Sequence, residues 1–538
     1  MADDTLSRRA FLTRSLHAGV GLAGVVPGVP GLWSAAPAII TAERLRPQLP
    51  GGIQAGDVTD SRAVLWSRTD RPAELLIEWA TSESFRDRRA VRGPAALGAN
   101  GFTAQIDVAG LPSDEQVFYR VRFESLEHPG TFSEPLVGSF RTAAARHASS
   151  TRPLRIAWTG DQVGQGWGID TDRGGLRIYD AMQRTQPDVF IHSGDIIYAD
   201  QPLEAEVTLD DGSIWRNVVT PEKSKVAETL DEFRGNFAYN QLDAQAREFF
   251  RHVPILAQWD DHEVVNNWYP GLMLERDDRY TVKSASLLAA RARQAMFEYV
   301  PLRRQMAAPE RIYRNFAYGD LAEVFMLDLR SYRGANSPNT QGRLSAESAL
   351  MGEEQTQWLL QALKRSQATW KIIATDMPLG LVVPDYPVDG KRTFEAWANA
   401  DGGQPAGREL ELARVLSFIK QNAIPNCVWI TADVHYAAAH HYAPERAAFV
   451  DFDPFWEFVA GPMHAGTFGP NALDATFGPE VRFSSVGDGV TPNRPPSDDL
   501  QFFGVLDLDP QTRVLRAAIH SVAGRELWSH ELVPVPSG

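Results

Sequence analysis

The stretch DVFIHSGDIIY, residues 188–198, is an apolar run that ends in a turn containing Gly194 and Asp195. Three other apolar runs end in polar turns: LRIAWTGD (154–161), VPILAQWDDHE (253–263) and CVWITADVH (427–435). Between such runs lie segments of helical periodicity, at 285–297, 346–366 and 408–422. Apolar strands that alternate with helices predict an α/β layered domain that binds its ligands at the carboxyl ends of the strands.

The chain before this region follows an all-β pattern. Short apolar or alternating runs such as RAVLWSRT (62–69) and AELLIEWATS (73–82) are separated by Gly, Pro, Asp and Asn, which is typical of a sandwich of short strands. The string GLPSDEQVFYRVRF (110–123) resembles the loop and strand of a fibronectin type III module. We predict a fibronectin type III-like domain over residues 45–145, a polar linker, and a catalytic domain over residues 152–535.

The composition is that of a folded, acidic protein with very little thiol chemistry. Of 538 residues, 53 are lysine or arginine and 68 are aspartate or glutamate, so the formal net charge is −15. Nucleic-acid backbones are bound mainly by lysine and arginine, so no specific nucleic-acid binding is expected. The single cysteine, Cys427, excludes an internal disulfide and any metal site built from several cysteines.

The N-terminus has the layout of an export signal. Arg8 and Arg9 precede a short apolar run rich in glycine and proline, and the small-residue string SAAPA (34–38) follows. This order predicts a twin-arginine signal peptide over residues 1–38, export by the twin-arginine machinery, and a periplasmic or secreted protein. The alternative is a membrane anchor, but the run is too short for a stable spanning helix. We therefore expect no transmembrane anchor in the mature chain.

The polar residues that follow the strands indicate a metal site. One such residue alone is often a helix cap or a turn residue. Several carboxylates gathered at one edge of a sheet would repel one another and hold protons unless cations lay among them. Asp, Asn, Tyr and His are ligands of hard and borderline metal ions, and two such ions that share a carboxylate activate water and neutralise charge on a phosphoryl oxygen.

The ordered motifs resemble a known family. GDIIY (194–198), WDDHEVVNNW (259–268), LDLRSYR (327–333) and ADVH (432–435) look like those of the alkaline phosphatase D, or PhoD-like, branch of the calcineurin-like metallophosphoesterases. The resemblance covers nearly the whole mature chain. It implies a central β-sandwich flanked by helices, and a two-metal site with a metal-activated water or oxide as the nucleophile.

The resemblance also implies roles for individual residues. Asp195 would bridge two metal ions, Tyr198 would bind a ferric ion, and Asn266 would bind the second ion. Asp433 and His435 match the final ligand pair. The segment 457–481 looks like a subgroup signature without a role that its residues explain.

One departure from the family pattern affects the metal. The first strand of the family usually ends in Cys-Gln, and that cysteine binds iron, whereas here the pair is Asp161-Gln162. We expect Asp161 still to be a ligand. A carboxylate is harder than a thiolate, so the expected Fe3+ and Ca2+ have Mn2+, Mg2+ and Zn2+ as alternatives.

Three further residues are candidates for catalysis. Arg330 either holds a phosphate oxygen or pairs with a neighbouring carboxylate, since a guanidinium suits both. His262 is either a general acid or the hydrogen-bond partner of a ligand, and Asp261 is predicted to orient it.

These observations predict an exported, monomeric enzyme that hydrolyses phosphomonoesters or phosphodiesters, with the choice between the two left open. One alternative is a metal hydrolase with a different substrate on the same scaffold, because a fold does not determine a function. Another is an inert extracellular binding protein, which a lack of metal and of esterase activity after metal addition would favour.

Overall fold

The strand at the centre of the opening motif, Val189–His192, lies in the middle of a nine-stranded sheet. The computed structural model describes residues 43–536, so the signal predicted for residues 1–38 lies outside the described part. The helices there are α1 (Ile178–Arg184), α2 (Leu230–Asn240), α3 (Ala244–His252), α4 (Ala285–Tyr299), α5 (Gly352–Arg365) and α6 (Glu409–Gln421). None of these helices combines the length and the hydropathy that a membrane span requires.

The strands of the described residues are numbered in chain order. They are β1 (Ile53–Gly56), β2 (Arg62–Arg68), β3 (Ala73–Ala80), β4 (Arg89–Ala96), β5 (Thr103–Ala109), β6 (Gln116–Ser125), β7 (Leu136–Arg141), β8 (Leu154–Thr159), β9 (Val189–His192), β10 (Glu206–Thr208), β11 (Ile214–Arg216), β12 (Ile255–Ala257), β13 (Arg314–Tyr318), β14 (Ala322–Met326), β15 (Trp370–Ala374), β16 (Pro384–Val388), β17 (Lys391–Phe394), β18 (Cys427–Thr431), β19 (Ala438–Tyr442), β20 (Phe455–Val459), β21 (Pro479–Ser484), β22 (Phe502–Leu508), β23 (Leu515–Ser521) and β24 (Glu526–Leu532).

Two mixed sheets form the centre of the fold. The nine-stranded sheet has the order β24-β23-β22-β8-β9-β12-β1-β2-β5, and β8, β9 and β12 are parallel neighbours. The seven-stranded sheet has the order β13-β14-β15-β18-β20-β19-β21, with β14, β15, β18 and β20 parallel. Their facing side chains share one apolar core, which includes Trp158, Ile191, Val324, Ile372 and Ile430.

Helices cover the outer faces of both sheets. One apolar cluster joins the nine-stranded sheet to α1, α2, α3 and α4, and another joins the seven-stranded sheet to α5 and α6. The layered α/β architecture with a central β-sandwich is therefore as the sequence predicted.

The predicted helices at 285–297 and 408–422 correspond to α4 and α6. The helix predicted at 346–366 corresponds to α5, which begins later than predicted. The backbone N–H groups of Leu350, Met351 and Gly352 donate to the Glu411 carboxylate at 2.8–3.1 Å. Gly352 also has a φ of 76°, a left-handed conformation that a continuous helix does not contain. The Glu411 carboxylate from α6 thus binds the N–H groups at the start of α5, and the helix starts only at Gly352.

The N-terminal region is all β, but it is not a separate sandwich. Strands β1, β2 and β5 continue the nine-stranded sheet, because β1 pairs with β12 in parallel through Gly56 and Ile255. The second layer is a four-stranded sheet of order β4-β3-β6-β7, and both layers share one apolar core. The specific likeness to fibronectin type III and the boundaries at 45–145 and 152–535 stay predictions.

A buried ion pair joins the N-terminal region to the seven-stranded sheet. Asp57 follows β1 and has no exposed surface, and its carboxylate accepts bonds from the Arg314 guanidinium at 2.7–3.1 Å. The backbone N–H of Arg303 donates to the same carboxylate at 2.7 Å. Removal of one partner from a buried pair leaves a buried charge uncompensated.

We therefore expect Asp57→Ala to lower the free energy of unfolding by about 3–5 kcal/mol. Urea unfolding followed by circular dichroism measures the change. Asp60→Ala is the matched control, because the Asp60 side chain is only partly buried and accepts a hydrogen bond from the Ser61 hydroxyl. Equal stabilities of the two variants would contradict this role of Asp57.

Candidate metal centre

The carboxyl ends of β8, β9, β12 and β18 bring the predicted site residues together. Asp161, Asp195, Asp261 and Asp433 follow these strands, and all four side chains are almost fully buried. Asp161, Asp195 and Asp433 have φ values of 68°, 51° and 67°, and His435 has 61°. Left-handed backbone is strained in residues other than glycine and is concentrated at functional sites. These tight turns direct the side chains into one site.

The first group of possible ligands is Asp161, Asp195 and His435, which place ligand atoms within 4.8 Å of one another. The Tyr198 phenol oxygen lies 2.9 Å from His435 Nε2. His435 Nδ1 lies 2.6 Å from the Gly466 carbonyl oxygen, which can only accept a hydrogen bond. Nδ1 therefore carries the proton, and Nε2 keeps a lone pair for a metal. Burial lowers the pKa of His435 to about 4, so the imidazole is neutral.

The second group surrounds Asp261. Its carboxylate lies within 4.8 Å of ligand atoms of Asp195 and His262, and likewise of Asp260 and Asp433. Burial opposes ionisation of Asp261, but the charges of His262 and Arg330 outweigh it and lower the carboxyl pKa to about 2. The sequence analysis predicted that Asp261 orients His262, and its position beside Asp195 and Asp433 also makes it a possible ligand.

The donor set fits multivalent cations. Burial raises the pKa values of Asp161, Asp195 and Asp433 well above the ordinary carboxyl range, and nearby carboxylates raise them further. Among the described residues, Asp161 Oδ2 has no hydrogen-bond partner although it is buried. Such oxygens are costly to bury unless they bind a cation or a proton. A metal pair would satisfy these oxygens and would hold the carboxyl groups ionised.

Asn266 lies at the rim of this site. Its side chain is exposed and contributes to the wall of the cavity, and its backbone N–H donates to Asp200 Oδ2 at 2.9 Å. The next residue, Asn267, is directed elsewhere, because its side-chain amide donates to Asp385 Oδ1 at 2.8 Å. The predicted metal-binding role of Asn266 stays a prediction.

Asp200 is a buried residue of the site that the sequence analysis did not name. Its Oδ1 lies 2.7 Å from His262 Nδ1, so Asp200, and not Asp261, holds the imidazole. The His262 ring also stacks on Tyr198, with the ring centroids 4.3 Å apart. Burial opposes protonation of His262, but Asp200 and Asp261 outweigh it and raise the imidazole pKa well above its usual value. Asp200 lies two residues after Tyr198 in the sequence. Its position close to the GDIIY motif could therefore have indicated that it belongs to the site.

Arg330 forms buried ion pairs. It has no exposed surface, its Nε donates to Asp260 Oδ1 at 2.6 Å, and its Nη1 pairs with Glu395. Asp261 and Asp433 carry oxygens 3.8 Å and 4.0 Å from Nη2. Of the two roles considered for Arg330, the structure favours the pairing with carboxylates, because its guanidinium does not line the cavity. It supplies positive charge behind the carboxylates.

A cavity of about 450 Å³ opens onto these residues. Its floor contains Asp195, Asp261, His262, Asp433 and His435. Its upper wall contains two acidic side chains, Asp385 and Glu395. The rest of the wall consists of amide and apolar side chains, which are Gln165, Asn266, Asn267, Asn471, Val383, Pro384, Tyr386, Pro387, Val434 and Phe468. The space is large enough for a small phosphoester, and it has a polar floor of possible metal ligands below a largely uncharged wall.

Comparison with known proteins agrees with this geometry. The family model described as PhoD-like phosphatase matches residues 156–519, and that of the PhoD-like phosphatase N-terminal domain matches residues 34–144. Alkaline phosphatase D of Bacillus subtilis (strain 168) is 27% identical over 436 residues, which is 77% of this chain and 68% of that protein.

Two solved structures share the fold. The structure of PhoD aligns with a TM-score of 0.65 at 22% identity, over 90% of this chain and 92% of that one. A purple acid phosphatase from yellow lupin (Lupinus luteus) seeds aligns with a TM-score of 0.53 at 13% identity, over 90% of this chain and 74% of that one. The catalytic family model alone spans about two thirds of the sequence. The chain therefore belongs to the PhoD-like phosphatase family and is a phosphoester hydrolase.

Proposed function

We propose that this protein is an exported phosphatase and phosphodiesterase that depends on two metal ions. The observation that supports a two-metal site best is the overlap of the two ligand groups at Asp195, which belongs to both. Export is supported by the Arg8-Arg9 signal motif. Membership of the PhoD-like phosphatase family supports a phosphoester substrate.

The proposed ligands divide into two sets that share Asp195. Asp161, Tyr198 and His435 complete the first set, and Asp261, Asp433 and Asn266 complete the second. When bound, the two ions activate a water molecule and neutralise charge on the phosphoryl oxygens. Arg330 offsets part of the carboxylate charge from behind, so the site does not depend on the metals alone for its stability.

We propose Fe3+ and Ca2+ as the metal pair, with Mn2+, Mg2+ and Zn2+ as alternatives. Tyrosinate favours a ferric ion, and an oxygen-rich set that includes Asp261 and Asp433 favours a hard divalent cation. Asp161 occupies the position of the family's cysteine and supplies an oxygen where that residue would supply sulfur. The site is therefore less selective for iron than a thiolate-containing site.

His262 is the proposed proton donor. It lies on the cavity floor, and Asp200 binds its Nδ1, so Nε2 is the nitrogen that remains for proton transfer. Asp200 favours the protonated imidazole, which is the form that donates to a leaving alkoxide. Asp200 is thus a positioning residue for His262.

We expect Asp195→Asn to lower kcat by at least about a thousandfold, because a carboxylate shared by both ions cannot be replaced by a neutral amide. Elemental analysis of the purified variant should show less bound metal, and circular dichroism should show an unchanged fold. Asp172→Asn changes an exposed carboxyl and serves as the control. Near-normal rates in a folded Asp195→Asn variant would contradict the assignment.

Asp200→Asn should lower kcat by about 10- to 100-fold while the metal content stays unchanged. The loss should be larger for an alkyl phosphate than for p-nitrophenyl phosphate, because only the poorer leaving group needs a proton donor. Rates with both substrates, measured for the wild type and the variant, check this expectation. An equal loss with both leaving groups would show that Asp200 acts on something other than proton transfer.

Tyr198 on a ferric ion would produce a visible charge-transfer absorption band. We expect the iron-loaded wild type to show this band and Tyr198→Phe to lack it. Tyr119→Phe, in the N-terminal region, is the control and should keep the band. An active protein that contains calcium or manganese but no iron would overturn the iron assignment and leave the hydrolase function intact.

A further inference from the structure

A β-hairpin forms one wall of the cavity over the metal centre. It consists of β16 and β17, which form a two-stranded sheet of their own. Its first strand and the preceding residue contribute Val383, Pro384, Asp385, Tyr386 and Pro387 to the cavity wall. The hairpin therefore belongs to the site but to neither main sheet.

The base of the hairpin is held in place by the residues around the metal centre. The Asp385 carboxylate accepts hydrogen bonds from the side-chain amides of Asn267 and Asn336, each at 2.8 Å. The backbone N–H of Phe394 donates to the Ser337 carbonyl at 3.0 Å, and the Phe394 side chain is buried. Asn267 follows the DDHE motif, so the hairpin position is tied to that of Asp261.

Tyr386 is exposed although it lies on this fixed base. Its relative exposure is 79%, while Thr393 Oγ1 donates to its carbonyl oxygen at 2.7 Å and fixes its backbone. An aromatic side chain that exposed contributes little to the stability of the fold. A tyrosine beside a cavity is suited to contact with a ligand, because its ring offers a large apolar area and its hydroxyl a polar group.

The lining of the cavity offers few cationic side chains to a highly charged substrate. None of the described residues that line it is a lysine or an arginine, while Asp385 and Glu395 add negative charge to its wall. Lys391 and Arg392 lie on the other hairpin strand, and the Arg392 guanidinium covers the Phe394 ring at 5.2 Å. A diester carries less charge than a monoester dianion, and its second substituent matches a wall of apolar side chains.

We infer that Tyr386 is a specificity-determining residue that contacts the second ester substituent of a phosphodiester. The preferred substituent is apolar or aromatic, because Tyr386 shares the wall with Val383, Pro384, Pro387 and Phe468. Phe468 is itself held edge-on against the His435 ring, with the centroids 5.4 Å apart. This inference rests on the proposed phosphoesterase function and adds to it the class of the second ester substituent.

The test compares two diesters that have the same leaving group. Bis(p-nitrophenyl) phosphate has an aromatic second substituent, methyl p-nitrophenyl phosphate has a small one, and both release p-nitrophenol. Using the metal-loaded protein, we expect Tyr386→Ala to lower the ratio of the two kcat/KM values by about five- to tenfold, the range of one aromatic contact. Tyr386→Phe should keep the wild-type ratio.

Val388→Ala is the matched control, because Val388 lies on the same strand, is 55% exposed and does not line the cavity. Calorimetry with diphenyl and dimethyl phosphate gives a second readout that does not need turnover, and only diphenyl phosphate should bind more weakly to Tyr386→Ala. An unchanged ratio, or equal losses with both diesters, would overturn the inference. A wild-type protein that hydrolyses neither diester nor p-nitrophenyl phosphate would instead overturn the proposed function.

Discussion

The crowding of buried carboxylates at one edge of the central β-sandwich is the constraint on which the rest of the site depends. Asp161, Asp195 and Asp433 lie close together and largely buried, and burial raises their carboxyl pKa values. Positive charge must therefore be brought to them. The protein supplies part of it through Arg330 and His262, and the geometry leaves the remainder to cations.

Arg330 connects this charge balance to the cavity wall. Its guanidinium pairs with Asp260 on one side and with Glu395 on the other, and Glu395 directly follows the hairpin strand β17. Asp385 is in turn bound by Asn267, which follows the DDHE motif. The groups that hold the metal ligands therefore also fix the wall against which we propose that the substrate binds, so metal binding and substrate selection share one framework.

The N-terminal region is part of the same framework. Gly56 pairs with Ile255, and a Cβ atom at Gly56 would lie 2.4 Å from the Pro301 carbonyl oxygen, so only glycine allows this approach. Asp57, the next residue, binds Arg314 of the opposite sheet. The nine-stranded sheet, which contains β9 and β12, thus continues without interruption into the N-terminal region. The N-terminal strands therefore pack directly against the layers of the catalytic domain.

The sequence by itself determined the strands that end in Asp161, Asp195 and Asp433, the layered fold and the family, because apolar periodicity and turn residues are local properties. Only the tertiary structure decided that Asp200, and not Asp261, holds His262, since Asp200 and His262 are 62 positions apart in the sequence. It also decided that Arg330 faces the carboxylates and that the hairpin lies over the cavity. These features depend on how the two sheets pack, and side-chain partners across that packing leave no periodic signal in the chain.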